Sequence, residues 1–232
     1  MVPYFRKASI CRDGSCPHDF QGSEDRWLVA NERAYKTGVR FTEADLNRSA
    51  PGNSLSPIYE VRRAYEIMQI AARYRFVIDI HGTTASTGIF VIVTNPTPAN
   101  IALAASIPIA NVVIWAAKSS AHAGPLSQFV NCGVEIECGP KTSRRIREEL
   151  RDVLWAISWG KNDALAPTQT KQTWYRVYGS IPRRKRCRTP KLKDFEQATV
   201  DYETFYPLLV GQYKTELCYK MELVNFNDIL AY

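Results

Sequence analysis

Apolar and polar positions follow two different periods along the chain, and the points where one gives way to the other mark its elements. Ser56-Pro57, a cap followed by a first-turn proline, precedes Ile58, Val61, Tyr65, Met68 and Ala72 at helical spacing, which predicts an amphipathic helix over residues 57–73. The apolar run Phe76-Val77-Ile78 then predicts a buried strand that carries Asp79 and His81 at its end and breaks into a Gly/Thr/Ser-rich turn. Further strands are predicted at residues 27–30, 89–93 and 112–117, with a short helix at 98–106. Residues 118–131 read as a loop holding His122, and Gly133-Val134-Glu135-Ile136-Glu137-Cys138-Gly139-Pro140 as a strand that stops at Gly-Pro. Ile146, Leu150, Val153, Leu154 and Ile157 form the apolar stripe of a helix over residues 143–160, closed by Gly160. Strands alternating with helices predict an α/β fold, a mixed and mostly parallel sheet covered by helices.

The texture changes after a linker centred on Ala166-Pro167. Short β-type pieces follow at residues 173–178, 198–202, 206–210 and 216–224, so the expected organisation has three parts. Residues 1–25, polar and without a period, form an irregular arm; residues 26–162 form the α/β domain; residues 168–232 form a small β-rich C-terminal domain.

Composition narrows the class. With 232 residues and 45% hydrophobic content the chain can bury a sizeable core. No apolar run approaches the ~18 residues of a membrane span, and residues 1–14 lack the apolar centre of a signal peptide. The six cysteines are scattered through a chain too long to need disulfide staples, which predicts reduced thiols and a cytoplasmic protein. Arg183, Arg184, Lys185, Arg186, Arg188, Lys191 and Lys193 match the whole net charge of +7. No aromatic side chain is interleaved with this basic loop (residues 183–193) to stack on bases, so the sequence reads against nucleic acid as the partner.

Candidate chemistry gathers at strand ends and in one loop. In open α/β sheets ligands bind just beyond the carboxyl ends of strands, which is where His81 falls. Asp79, two residues earlier on the same face, could orient a metal-bound imidazole; the bland alternative is a satisfied histidine at a strand end. Glu135 and Glu137 share a strand face. The last of them could act as general base on a metal-activated water or could face solvent on an edge strand. Arg40, Asn47 and Arg48 lie within nine loop positions and suit a carboxylate, although surface charge explains them as well.

Taken together and in order, Asn31-Glu32-Arg33-Ala34, Arg40, Asp45-Leu46-Asn47-Arg48, Tyr59-Glu60-Val61-Arg62-Arg63-Ala64, Asp79-Ile80-His81-Gly82-Thr83-Thr84 and Ile136-Glu137-Cys138-Gly139-Pro140 resemble the aspartoacylase/succinylglutamate desuccinylase family. This family is a branch of the zinc carboxypeptidase-like hydrolases. In the tail, Phe205-Tyr206-Pro207 and Gly211-Gln212-Tyr213 are similar to its closing β element. The resemblance implies a zinc-dependent amidohydrolase that cleaves the amide of a small N-acyl amino acid, soluble and open to homo-oligomer formation. By matching position, His81 is a zinc ligand and Glu137 the general acid/base. Arg40 stabilises the oxyanion, Asn47 and Arg48 bind a substrate carboxylate with Asn31 beside them, and Tyr213 reaches in from the tail.

Two features depart from the family pattern. Its first two zinc ligands come from a G-x-H-G-x-E motif on an initial strand, and this sequence has no H-G-x-E. The nearest remnant, His18-Asp19-Phe20-Gln21-Gly22-Ser23-Glu24, offers His18 and Glu24 as metal ligands from the arm. The alternative is a truncated or degenerate non-catalytic relative that keeps the fold as a binding protein. In addition, the segment before Glu137 reads His122-Ala123-Gly124-Pro125-Leu126-Ser127-Gln128, without the arginine that commonly grips the substrate α-carboxylate.

Overall fold

A computed structural model describes residues 8–12, 26–116, 123–159, 170–183 and 191–229. Its strands are β1 (Ala8–Arg12), β2 (Arg26–Val29), β3 (Phe76–Gly82), β4 (Gly88–Val93), β5 (Asn111–Ile114), β6 (Gly133–Gly139), β7 (Thr173–Pro182), β8 (Ala198–Val200), β9 (Glu203–Leu208) and β10 (Glu216–Val224). They form a ten-stranded sheet in the order β2-β1-β3-β6-β4-β5-β7-β10-β9-β8. The helices are α1 (Glu32–Thr37), α2 (Tyr59–Ala71), α3 (Pro98–Ser106), α4 (Leu126–Phe129), α5 (Arg144–Trp159) and α6 (Phe226–Ile229).

The sheet is mixed, as expected, but not mostly parallel. Only β3–β6, β4–β5 and β5–β7 pair in parallel; the other pairings of the described strands are antiparallel. The reason lies between Gly82 and Gly88. A parallel crossover needs about a dozen residues or more, and this short turn must send β4 back the other way, with β6 inserted between it and β3. Ala8–Arg12, inside the stretch read as an irregular arm, form a strand paired with both β2 and β3. A strand held by backbone bonding between two neighbours can form without an apolar period. The C-terminal strands continue the same sheet, because β7 pairs with the edge of β5. Leu126–Phe129, read as loop, are a short helix.

Strand alternation gives the sheet two faces. Ile78, Ile80, Val91, Val93, Val112, Ile114, Val134 and Ile136 point to one of them, where α3 (Ile101, Leu103) and α5 (Ile146, Leu150, Val153) bury them. On the other face Phe90, Ile92, Val113 and Tyr175 are covered by Leu208, Leu209 and Met221 from the C-terminal segment. Nearby, α2 and α4 pack through Ala64, Ile67, Ala71, Leu126 and Val130. Among the described residues no helix is long and apolar enough to cross a membrane.

Candidate active site

The second face carries a polar row between its two apolar covers. Asp79 is the register partner of Glu135, and His81 of Glu137, across the parallel pair β3–β6. Odd-numbered positions of both strands therefore bring one imidazole and three carboxylates together at neighbouring carboxyl ends. Asp79 is 0% exposed, His81 8% and Glu135 5%. Asp79 Oδ2 lies 2.9 Å from His81 Nε2, a separation at which a carboxylate can orient a metal-bound histidine through its second nitrogen. Candidate ligand atoms of Asp79, His81 and Glu135 all lie within 4.8 Å of one another. Buried imidazole nitrogen and carboxylate oxygen form a donor set that fits a divalent ion such as zinc. At the end of β6, Gly139 is required by close approach, since a side chain there would collide with the Ala85 carbonyl and the Thr83 methyl group.

The loop carrying Arg40, Asn47 and Arg48 is shaped by one buried carboxylate. Glu60, on α2, accepts from Asn31 Nδ2 (3.1 Å), Thr42 N (2.7 Å), Thr42 Oγ1 (2.7 Å) and Ala44 N (3.1 Å). Burial pushes its pKa up, but the hydrogen bonds from Thr42, Asn31 and Ala44 outweigh burial and lower it from 4.5 to about 2. The start of α2 depends on the same loop. Its Tyr59 amide donates to Glu43 Oε2 at 2.8 Å, so the helix begins two residues past the predicted Pro57. Arg40 Nη2 donates to Asp45 Oδ2 at 2.8 Å and Arg48 Nη1 to the Asn47 carbonyl at 2.7 Å. Asp45 in turn accepts from the Asn47 amide and caps the short 3₁₀ turn that presents Asn47 and Arg48.

The C-terminal segment supplies the opposing wall. Tyr213 packs edge-on against Tyr219 with ring centroids 5.6 Å apart, and Tyr219 against Trp115 at 4.4 Å. Burial, then Tyr219 and Glu137, push the Tyr213 phenol up to about 12 against the opposing pull of Arg48 and Arg40, so it stays protonated and able to donate at neutral pH. Gln212, its neighbour, accepts from Thr84 Oγ1 at 2.6 Å and ties this wall to the turn after β3.

These walls enclose a cavity of about 520 Å³. His81, Glu137, Arg40, Asn47, Arg48, Asn31 and Tyr213, singled out in sequence, all line it. Asn31 does so as part of the frame, because its amide is committed to Glu60 on one side and to the Ala34 amide, as the cap of α1, on the other. His18 and Glu24 lie outside the described residues, as do His122 and residues 184–190 of the basic loop. Sequence reasoning gave no role to Glu135, although alternation had already placed it on the face of Glu137. Gln128, Lys141 and Trp115 also line the cavity, and no local pattern marks them.

The family model for the succinylglutamate desuccinylase/aspartoacylase catalytic domain matches residues 17–157, a span that includes His18 and Glu24. A probable aspartoacylase of Acaryochloris marina is 31% identical over 166 residues, covering 62% of this chain and 56% of that protein. One of Prochlorococcus marinus is 29% identical over 127 residues, covering 50% and 43%. The chain thus spans about half the length of these curated relatives. In structure it resembles murine aminoacylase 3, with a TM-score of 0.67 at 19% identity over 85% of this chain and 82% of that one. The succinylglutamate desuccinylase of Chromobacterium violaceum has a TM-score of 0.61 at 14% identity over 88% and 74%. The fold is that of these structures, and with more than half of its length matched by the catalytic-domain model, the chain belongs to the succinylglutamate desuccinylase/aspartoacylase family.

Proposed function

We propose that this chain hydrolyses the amide bond of an N-acyl amino acid, or a similar small amide, at a zinc ion held near the carboxyl ends of β3 and β6. The observation that carries the reading is the direct register pairing of His81 with Glu137 in one cavity with Arg40, Asn47, Arg48 and Tyr213. A cavity of about 520 Å³ suits a substrate of amino-acid size. A zinc ion bound beside His81 would polarise the amide carbonyl as a Lewis acid.

The chain's own residues do the rest. Glu137 takes a proton from the attacking water as the water oxygen bonds to the carbonyl carbon, then delivers that proton to the amine nitrogen as the C–N bond breaks. The products are a carboxylic acid and a free amine. Arg40, steadied by Asp45 through one nitrogen, directs its remaining N–H groups at the negative charge developing on the carbonyl oxygen. Arg48 and Asn47 grip a carboxylate of the substrate, and Tyr213 donates from the opposite wall. The aspartoacylases and desuccinylase among the relatives support this reaction class.

The test is hydrolysis of a panel of N-acetyl and N-succinyl amino acids by the zinc-loaded chain, followed by amine release. Glu137→Gln should lower kcat by a factor on the order of 10²–10⁴. Absence of hydrolysis across the panel, or a Glu137→Gln rate within about threefold of the parent, would overturn the proposal.

A further inference from the structure

Glu135 is a buried carboxylate of the site for which the proposed reaction provides no task. It lies beside Asp79, its partner across β3–β6, and both side chains are shielded from water. Their candidate ligand atoms, with that of His81, lie within 4.8 Å of one another. That is close enough for one cation with bonds of roughly 2.0–2.2 Å to draw the donors together.

The support behind Glu135 is specific. Ser127, on α4, donates from Oγ to Glu135 Oε1 at 2.9 Å, and Thr94 at the end of β4 contacts Ser127 Oγ through Oγ1, also at 2.9 Å. Ser127 and Thr94 are themselves buried. A hydroxyl pair from two separate elements thus fixes one oxygen of the carboxylate. Metal-binding carboxylates are oriented by hydrogen bonds of this kind.

We infer that Glu135 is a ligand of the zinc ion in this chain and that Ser127 is its positioning residue. His81 and Glu135 hold the ion from neighbouring parallel strands, Asp79 fixes the imidazole, and Glu137, one side-chain step further along β6, stays available for proton transfer. The inference rests on the proposal that the site takes zinc, but it assigns Glu135 a role separate from the reaction.

Metal binding by the whole chain tests it independently of turnover. Zinc affinity is measured by chelator competition, and coordination by the visible spectrum of the cobalt-substituted protein, for the parent, Glu135→Gln, Ser127→Ala and Glu137→Gln. The parent should take up one equivalent. Glu135→Gln should weaken binding by a factor on the order of 10² or more and change the cobalt spectrum, and Ser127→Ala should weaken it by a factor of about 10–100. Glu137→Gln should remain within about threefold. Thermal melts without metal show that each variant folds, and the rise in Tm on adding zinc gives a second measure of affinity. A Glu135→Gln protein with parental zinc affinity and an unchanged cobalt spectrum overturns the inference. So does a parent chain that binds no zinc. If Glu135→Gln binds normally while Glu137→Gln loses amidase activity, the inference falls and the proposed reaction stands. If Glu135 proves a ligand while no acyl substrate is cleaved, the reaction falls and the site stands.

Discussion

Glu60→Gln is the substitution whose consequences the structure specifies most fully. It preserves shape and replaces one oxygen of a buried carboxylate with an NH₂ group. If that group takes the Oε2 position, it faces the Glu43 and Ala44 amides, at 3.2 and 3.1 Å, donor against donor. If it takes Oε1, it faces Thr42 N, Thr42 Oγ1 and Asn31 Nδ2. Neither orientation satisfies the cradle. Hydrogen bonds to a charged group contribute about 1.5–3 kcal/mol each, and the substitution weakens all of them and inverts at least two. The lowering of the Glu60 pKa from 4.5 to about 2 gives a second figure, on the order of 3 kcal/mol favouring the ionised form in the folded chain. The lower end of the hydrogen-bond range, two bonds at about 1.5 kcal/mol, meets the second figure at a loss of about 3 kcal/mol, or a fall in Tm of roughly 6–12 °C for a chain of this size.

The pH dependence has a definite sign. A carboxylate whose pKa is depressed by folding contributes its full stabilisation above its unfolded value, and that contribution disappears as pH falls toward the folded value. The gap in Tm between parent and Glu60→Gln should therefore be widest at neutral pH and narrow as pH falls from 4.5 toward 2. Melting curves of both proteins followed by circular dichroism from pH 7 to pH 3 measure it, with other carboxylates cancelling in the difference. Because Glu60 fixes residues 42–44, between Arg40 and Asp45, Glu60→Gln should also raise KM while zinc content is unchanged. A drop in Tm under about 2 °C at pH 7, or a gap that does not vary with pH, would refute the reasoning.

Three further outcomes follow from the site. His81→Ala removes a proposed ligand and should cut the zinc retained after gel filtration to a small fraction of the parent's, as read by elemental analysis. Arg40→Ala should lower kcat by a factor on the order of 10²–10³ with metal content intact; a change confined to KM would move Arg40 from the oxyanion to ground-state binding. Since burial pushes the Tyr213 phenol up to about 12, Tyr213→Phe should lower the rate by the same factor at pH 7 and pH 9.5, and a factor that shrinks at the higher pH would show that Tyr213 ionises in that range.

The sheet was largely legible because its strands are written in apolar residues. Residues 98–106 and 216–224 coincide with α3 and β10, and the ends of β3 and β6 fall where the turn residues put them. Alternation placed Glu135 and Glu137 on one face without any structure. What alternation cannot express is direction and adjacency. The short return between Gly82 and Gly88 reverses β4, and nothing local in residues 8–12 announces a strand that is completed by partners far along the chain. The loop from Arg40 to Arg48 shows the same limit at the level of chemistry. Its residues were recognised by likeness, but read alone they were as consistent with surface charge. What turns them into one wall of a site is Glu60, eighteen positions beyond Thr42, whose carboxylate gathers the amides of residues 42–44. The shape of this half of the cavity is thus set from α2, by a residue that the cavity does not expose, and on the proposed reading substitutions on that helix should alter substrate binding as surely as substitutions in the loop itself.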